Sequence, residues 1–576
     1  MIDSKPVVSY RFRFVVVLTA LSVLVTLASA GCENQSRPTS APLSADGTPS
    51  ISETLPADPT SVTAETPVGT SPGTPQSGGT LVIGLSDAVL TWDPADYRHR
   101  ETETVLRNVF DGLVTRTTEG KVVPEIAESY HWVDDRTLEF VLRPGIIFHN
   151  GEDLTADDVK FTFDRVISEN GVDYPEPHTA SRKALIGPLR DVEVVDDYTV
   201  RLHFESVWPV ALQMLVHQQI LPQDYFQEVG TQGFIQAPVG CGPFKFVEGD
   251  LNEQIVLERF ADYYGGAPDL PPVGPAFVDR LIFRVIKDAA ERVKALQAGE
   301  VDIIQSVPSY LVPSLSADPN VVVKTGPGTR PYWMEMNVQR APFDDERVRQ
   351  AMNYAIDVDL IVGALLGGRG RALAGPLSPY NQFVDPSLKP YGYNLSRAIE
   401  LLNAAGYMPQ DISFVIDCRE SDREYAEAVA TQLREWGMDV TVQVWDYDEL
   451  NPLLLAGERM AYVGGWGDSA FDPVGHFEAK WHTWVQGSDY GRGNFSTYSN
   501  AQVDELIVAG EAEPDVEKRR QIYAQAQQII YREAPAVFLF LPDIVEASSA
   551  RVQGWSPSPD GRLNMHDVWL SPTPEP

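Results

Sequence analysis

Apolar and polar positions alternate through Thr137-Leu138-Glu139-Phe140-Val141-Leu142, the period-two pattern of a half-buried strand, which stops at Arg143-Pro144-Gly145. Gly79 to Leu85 reads as an earlier strand, followed by a turn at Trp92-Asp93-Pro94-Ala95-Asp96 and a short helical face from Glu101 to Phe110. Thr155 caps a helix, with Asp158 three residues on as the partner of a variant capping box. Farther along, Ile412–Asp417 predicts a strand, and Ser421 with Glu424 predicts a second capping box. Tyr425, Val429, Leu433 and Trp436 then recur at helical spacing as far as Gly437, and Val440–Trp445 predicts another strand. That succession is a βαβ unit, whose right-handed crossover implies parallel strands in a covered sheet. Helices are also expected over 344–356, over 394–405 with Gly406 behind it, and over 518–532, before a strand at 537–541. The chain is of mixed α/β class.

The ends differ from this patterned middle. Lys5, Arg11 and Arg13 precede an apolar run from Phe14 to Leu27, the layout of a secretory signal. Ala28-Ser29-Ala30 suits ordinary signal peptidase, whereas Ala30-Gly31-Cys32 resembles a lipobox, with Ser29 where Leu is usual and Cys32 as the lipidated residue. Glu33 to Ser77 is rich in Ser, Thr, Pro, Ala and Gly and holds too few large apolar residues to fold, which favours the lipoprotein exit. As a coil this tether would span about 35–40 Å. The remaining Cys241 and Cys418 form no framework pattern and are expected to stay unpaired.

With 576 residues, 43% of them hydrophobic, the chain can build two or more cores. A formal net charge of −36 opposes binding to nucleic acid or to an anionic membrane surface. No Gly-x-Ser-x-Gly, His-Glu-x-x-His or P-loop pattern occurs. His476, Glu478 and His482 do not match common zinc spacing, so no metal or other cofactor is expected; a secreted metallohydrolase or other hydrolase is the alternative class.

Several segments carry a resemblance. Phe148-His149-Asn150-Gly151, Leu154-Thr155-Ala156-Asp157-Asp158-Val159 and Phe161-Thr162 come first, then Pro238 to Phe246. Asn337, Pro342-Phe343, the helix holding Val348-Arg349-Gln350-Ala351, and Gly464-Gly465-Trp466 with Asp472-Pro473 follow in order. Together, from about Gly79 to Leu541, they resemble the family 5 extracellular solute-binding proteins, which deliver peptides, nickel chelates and some sugars to ABC importers.

The resemblance implies a periplasmic-binding-protein-like bilobal α/β fold with a hinge. Expected boundaries are a signal peptide at 1–31 and a lipidated tether at 32–78. The first lobe would comprise 79–116, 189–286 and 491–576, with a subdomain inserted at 117–188 and a second lobe at 287–490. A monomer is expected, held to the membrane by its lipid anchor and working with ABC permease subunits, with no catalysis. Candidate ligand contacts are Trp92, with Asp93, on the first lobe, and Tyr332, Trp333, Asn337, Trp445, Trp466, Asp468, Ser469, Phe471 and Asp472 on the second. Core positions are an equally good account of Trp333 and Trp445. Peptide-binding relatives place an Asp three residues after the matched Trp to pair with the α-ammonium group, where this chain has Ser469 with Asp468 one step earlier. Peptide is the first expected ligand, with sugars and chelates as alternatives.

Overall fold

The computed structural model describes residues 74–117, 120–268, 274–467, 470–559 and 561–572. The expected signal segment, Cys32, most of the tether, and Asp468 and Ser469 lie outside these residues. No described helix is long and apolar enough to cross a membrane.

Two large sheets organise the described chain. The first has seven strands, in spatial order Val321–Gly326, Ile544–Ser549, Ile303–Ile304, Thr80–Leu85, Arg280–Val285, Gln254–Arg259 and Phe244–Asp250. Thr80–Leu85 sits at its centre, parallel to both neighbours. Its alternate residues Leu81, Ile83 and Leu85 enter one core with Val105, Phe110 and Phe244, while Val82 packs against another with Leu296 and Val301. Period-two alternation therefore serves two buried faces, not one buried and one wet.

The second sheet has six strands, in the order Gly370–Ala372, Ala536–Pro542, Tyr332–Met336, Ala461–Gly465, Ser413–Arg419 and Asp439–Trp445. It contains the expected βαβ unit: Ser413–Arg419 and Asp439–Trp445 pair in parallel, and the helix Arg423–Glu435 between them buries Ala426, Val429, Ala430 and Leu433. The capping box predicted from Ser421 and Glu424 does not form. A 3-10 turn occupies Glu420–Asp422 and the helix starts after it; the Asp422 carboxylate accepts from Arg419 Nε at 2.8 Å and from the Ser421 hydroxyl at 3.2 Å, so Ser421 is turned to Asp422 and does not cap the helix.

A four-stranded antiparallel sheet, Ala127–Asp134, Thr137–Leu142, Thr199–Phe204 and Leu189–Asp196 in that order, forms a smaller unit beside the first. Its inner face packs with the helix Ala156–Ile167 through Phe140, Leu202, Val159 and Phe163.

Strand pairing moves the expected boundaries. The last two strands of the small sheet lie beyond 188, where its end was expected. Residues 303–304 and 321–326, assigned by sequence to the second lobe, pair in the first sheet. Conversely, the helices Ala501–Ala512 and Val516–Glu533 and the strand Ala536–Pro542 build the second lobe, sharing a core with Trp333, Phe477 and Trp481. Hydrophobic patterning identifies a strand such as 537–541 but not its distant partner, which is why the sheet it joins was not legible. The main chain passes between the two large sheets twice, between Gly326 and Tyr332 and again at Asp543.

Candidate functional site

The end of the strand Ala461–Gly465 borders a cavity of about 800 Å³. Arg98, Leu185, Trp208 and Met214 line it from the side of the first lobe and its small sheet; Arg330, Glu335, Arg419, Tyr447, Tyr462, Trp466, Glu478, Lys480 and Arg492 line it from the second. The glycines at the strand end have a steric task. A Cβ on Gly465 would stand 2.9 Å from the Pro331 carbonyl oxygen and 3.0 Å from Arg330 Nε. With glycine there, Arg330 lies across the strand and donates to the Gly465 carbonyl at 2.8 Å.

Trp466 follows directly on the cavity wall. Its indole Nε1 donates to the Gly475 carbonyl at 3.3 Å, and its ring lies so close to the backbone of Gly493 that a Cβ there would be 2.6 Å away. Lys480 Nζ and the Arg492 guanidinium approach the ring at 5.3 and 5.5 Å from its centroid. The indole is thus held by backbone on one side and cations on the other, a rigid aromatic surface.

Charge in the wall is extensively paired. Lys480 and Glu335 form a buried ion pair, and the second Glu335 oxygen accepts from the Phe495 amide at 3.1 Å. Burial raises the Glu335 carboxyl against the pull of Lys480, and burial lowers the Lys480 ammonium against the pull of Glu335. Arg419 binds Asp422 at 2.7 Å and lies 5.6 Å from the Tyr447 ring centroid. Arg492 reaches Glu478 at 3.4 Å. Burial, with Lys480 near by, pushes the His476 imidazole down to about 3, so it is neutral at pH 7.

Of the described candidate residues, Trp466 alone lies on this wall. Asp472 is fully buried in a bidentate pair with Arg519, both contacts at 2.6 Å, and caps the Val474 amide. Phe471 adopts φ 55° with Arg116 5.1 Å from its ring centroid, outside the cavity lining. Trp92 is buried edge-on against Phe246 at 5.1 Å, and Asp93 is buried against Arg165 at 2.7 Å. Trp333 is a core residue, edge-on to Trp481 and His476. Tyr332 packs on Tyr425 and Phe540. Asn337 is a buried clamp, donating to the Gly457 and Arg459 carbonyls and accepting from Thr497. Trp445 donates to Asp417 at 2.7 Å. These eight side chains are outside the cavity lining. His482, the last of the weighed metal-type trio, stacks on Tyr490 at 4.2 Å. Among the described residues no cluster of three metal-type ligands occurs.

Sequence reasoning missed Arg98, Arg330, Arg419, Tyr447, Tyr462, Lys480 and Arg492. The run of glycines after Val463 was the one local signal, because it marks where large neighbours cross a strand end.

Comparison with known proteins bears on this cleft. The sequence model of the bacterial extracellular solute-binding proteins, family 5 Middle, matches residues 121–488. A glutathione-binding protein, GsiB, of Pectobacterium atrosepticum is 27% identical over 514 residues, covering 85% of this chain and 94% of that protein. The periplasmic binding protein DppA of Helicobacter pylori, solved in complex with the peptide STSA, superposes with a TM-score of 0.72 at 26% identity, over 86% of this chain and 98% of that one. NikZ of Campylobacter jejuni, solved with Ni(L-His), shares the fold with a TM-score of 0.70 at 22% identity, over 85% of this chain and 99% of that one.

Proposed function

The chain belongs to family 5 of the bacterial extracellular solute-binding proteins, and from that premise we propose that it captures a short peptide or peptide-like solute between its two lobes and hands it to an ABC permease. The observation that carries this reading is the composition of the cavity wall: Arg98 and Trp208 come from one side, Trp466 and Arg330 from the other. A solute in that space touches both lobes together, so its affinity is greatest when they are closest, and it shifts the lobes toward closure by that difference.

The groups on the wall suit a peptide. Guanidinium groups receive carboxylates in a planar fork, and of the wall carboxylates the exposed Asp489, 3.8 Å from Arg492, is the one open to an ammonium group, Glu478 being held by Arg492 at 3.4 Å. Asp472 is not among them, since Arg519 holds both its oxygens. Relatives support peptide as the first class: DppA was solved with a tetrapeptide, and GsiB is named for the tripeptide glutathione. No step of chemistry is needed, because capture and release are the activity. We further infer that Cys32 is the lipidated anchor and that residues 33–77 tether a monomeric binding unit at the extracytoplasmic face.

Binding linkage gives the test. A solute at one hundred times its Kd adds about 2.7 kcal/mol to folding stability, so the melting temperature of the full chain should rise in the presence of a bound peptide. A library of di- to pentapeptides is expected to contain binders that raise it, with mass spectrometry of the native protein showing a peptide mass released on denaturation. A melting shift with oligosaccharides or a nickel–histidine chelate, and none with any peptide, would sink the peptide assignment.

A further inference from the structure

The cleft opposes the charge of the protein around it. Asp and Glu outnumber Lys and Arg by 81 to 45 in the whole sequence. The described cavity wall reverses this, with Arg98, Arg330, Arg419, Lys480 and Arg492 against Glu335, Glu478 and Asp489. Most of these charges already have internal partners: Lys480 holds Glu335, Arg419 holds Asp422, and Arg492 reaches Glu478 at 3.4 Å and Asp489 at 3.8 Å. Arg98 and Arg330 differ. Among the described residues neither has a carboxylate within ion-pair distance.

Both are built in. Arg330 is half-buried, bonded to the Gly465 carbonyl and to Tyr332, and seated where any residue larger than glycine at 465 would displace it. A guanidinium has five N–H groups, so this anchoring leaves donors for the cavity. Arg98 lines the cleft from the first lobe; the positive charges of Arg492 and Arg182 act against its own, and Asp489 and Glu478 offset them without coming within ion-pair distance. Cations that line one closing cavity repel, and an anion between them converts the repulsion into attraction.

We propose that the solute of this cleft carries at least two anionic groups, one received by Arg330 in the second lobe and the other by Arg98 from the first. The proposal rests on the reading of the cleft as the solute site and narrows its class to polyanionic solutes, with carboxylates on a peptide or on a non-peptide acid as the two sources. The acidic exterior does not defeat this. Salt screens charges beyond about 8–10 Å, whereas the cleft cations act at contact.

Four probes decide it, with binding to the full chain measured by melting shift and calorimetry: the tripeptides Glu-Gly-Glu, Gln-Gly-Gln and Lys-Gly-Lys, which have the same backbone, and citrate as a non-peptide polyanion. The expected result is that Glu-Gly-Glu or citrate binds at least about tenfold more tightly than Gln-Gly-Gln, the scale of one charge-assisted hydrogen bond, with Lys-Gly-Lys weakest. Which of the first two binds identifies the source. Arg330→Gln and Arg98→Gln should each reduce binding of the acidic probe about tenfold or more, with Arg98→Lys retaining part of it. Affinity of the wild-type chain for the acidic probe should also fall as salt rises, a readout that does not depend on any variant folding. Equal or tighter binding of Gln-Gly-Gln or Lys-Gly-Lys overturns the inference and leaves the peptide-capture reading standing. Silence from all four probes alongside peptide-library binders that are neutral or cationic does the same. Silence from these probes and from the whole library overturns both.

Discussion

Glu511 stands behind the cavity wall with Glu478 in front of it, and the two carboxyl groups share one buried site. Tyr490 donates its hydroxyl to Glu511 at 2.7 Å. Burial first, and then the neighbouring Glu478 charge, push the Glu511 carboxyl from its ordinary 4.5 up to about 8, and burial raises Glu478 in the same direction. A folded-state value above the unfolded one means that unfolding releases a proton. The stabilisation is complete below pH 4.5 and is lost as pH rises through about 8. Stability should therefore fall between pH 5 and pH 9, each tenfold difference in proton affinity being worth about 1.4 kcal/mol. Glu511→Gln keeps an acceptor for Tyr490 and cannot ionise, so urea midpoints of that variant should vary less with pH over this range; equal pH slopes in the two proteins would refute the shared-proton account. Neither carboxyl was singled out by sequence as half of a pair, because 33 positions separate them and each sits on an unremarkable helical stretch. The same limit applies to the wall arginines. An isolated Arg in a sequence is most often a solvated side chain, and Arg98, Arg330, Arg419 and Arg492 come from four separate segments. Aromatics mislead in the opposite sense. Trp92 and Trp333 have the residue type of a ligand wall, and their burial depends on packing partners such as Phe246 and Trp481 that are distant in sequence.

Single elements were the most legible level. Asn394 accepts from the Arg397 amide, and Gly406 takes the left-handed conformation at the far end of the same helix, so both ends were written in local sequence. At Thr155 the capping arrangement is asymmetric: Asp158 reaches back to the Thr155 amide at 2.8 Å and to its hydroxyl at 3.3 Å, and its other oxygen accepts from the Gln223 amide at 2.8 Å. The carboxylate, more than the threonine hydroxyl, ties the start of the helix to the chain that leads into the next one. Asp158→Ala leaves two backbone donors without their partner and should cost about 2 kcal/mol, against less than about 1 kcal/mol for Thr155→Ala. Chemical denaturation of the two variants checks the order, and an equal or larger loss for the threonine variant would contradict it. Where a local signal failed, at Ser421 and Glu424, a competing local contact won: the Asp422 carboxylate between them pairs with Arg419 three residues earlier, which is itself a cavity residue. There the site prevailed over the propensity of the element.

For the whole molecule the crossings between the large sheets matter most. The two passages run side by side, and Gly328 in the first packs so tightly on the second that a Cβ would stand 2.1 Å from the Pro542 carbonyl oxygen. Backbone at that distance cannot yield as the tip of a flexible side chain can, so Gly328→Ala must spread the two passages. Lobe closure has to bend the chain at these same passages, since no other main-chain link joins the two sheets among the described residues. Gly363 provides the matched comparison, because it lies inside the helix Val358–Leu366 with nothing within 4 Å of a Cβ built there. The same chemical change should therefore have opposite signs at the two positions. Gly363→Ala should stabilise by about 0.5–1 kcal/mol through helix propensity, whereas Gly328→Ala should destabilise by about 1–3 kcal/mol through forced displacement. Small-angle scattering should show an altered radius of gyration for the Gly328 variant and none for the Gly363 variant. If both variants keep the wild-type radius and Gly328→Ala melts no lower, the paired passages do not constrain the lobes, and the hinge for solute capture must be sought in the packing between the lobes themselves.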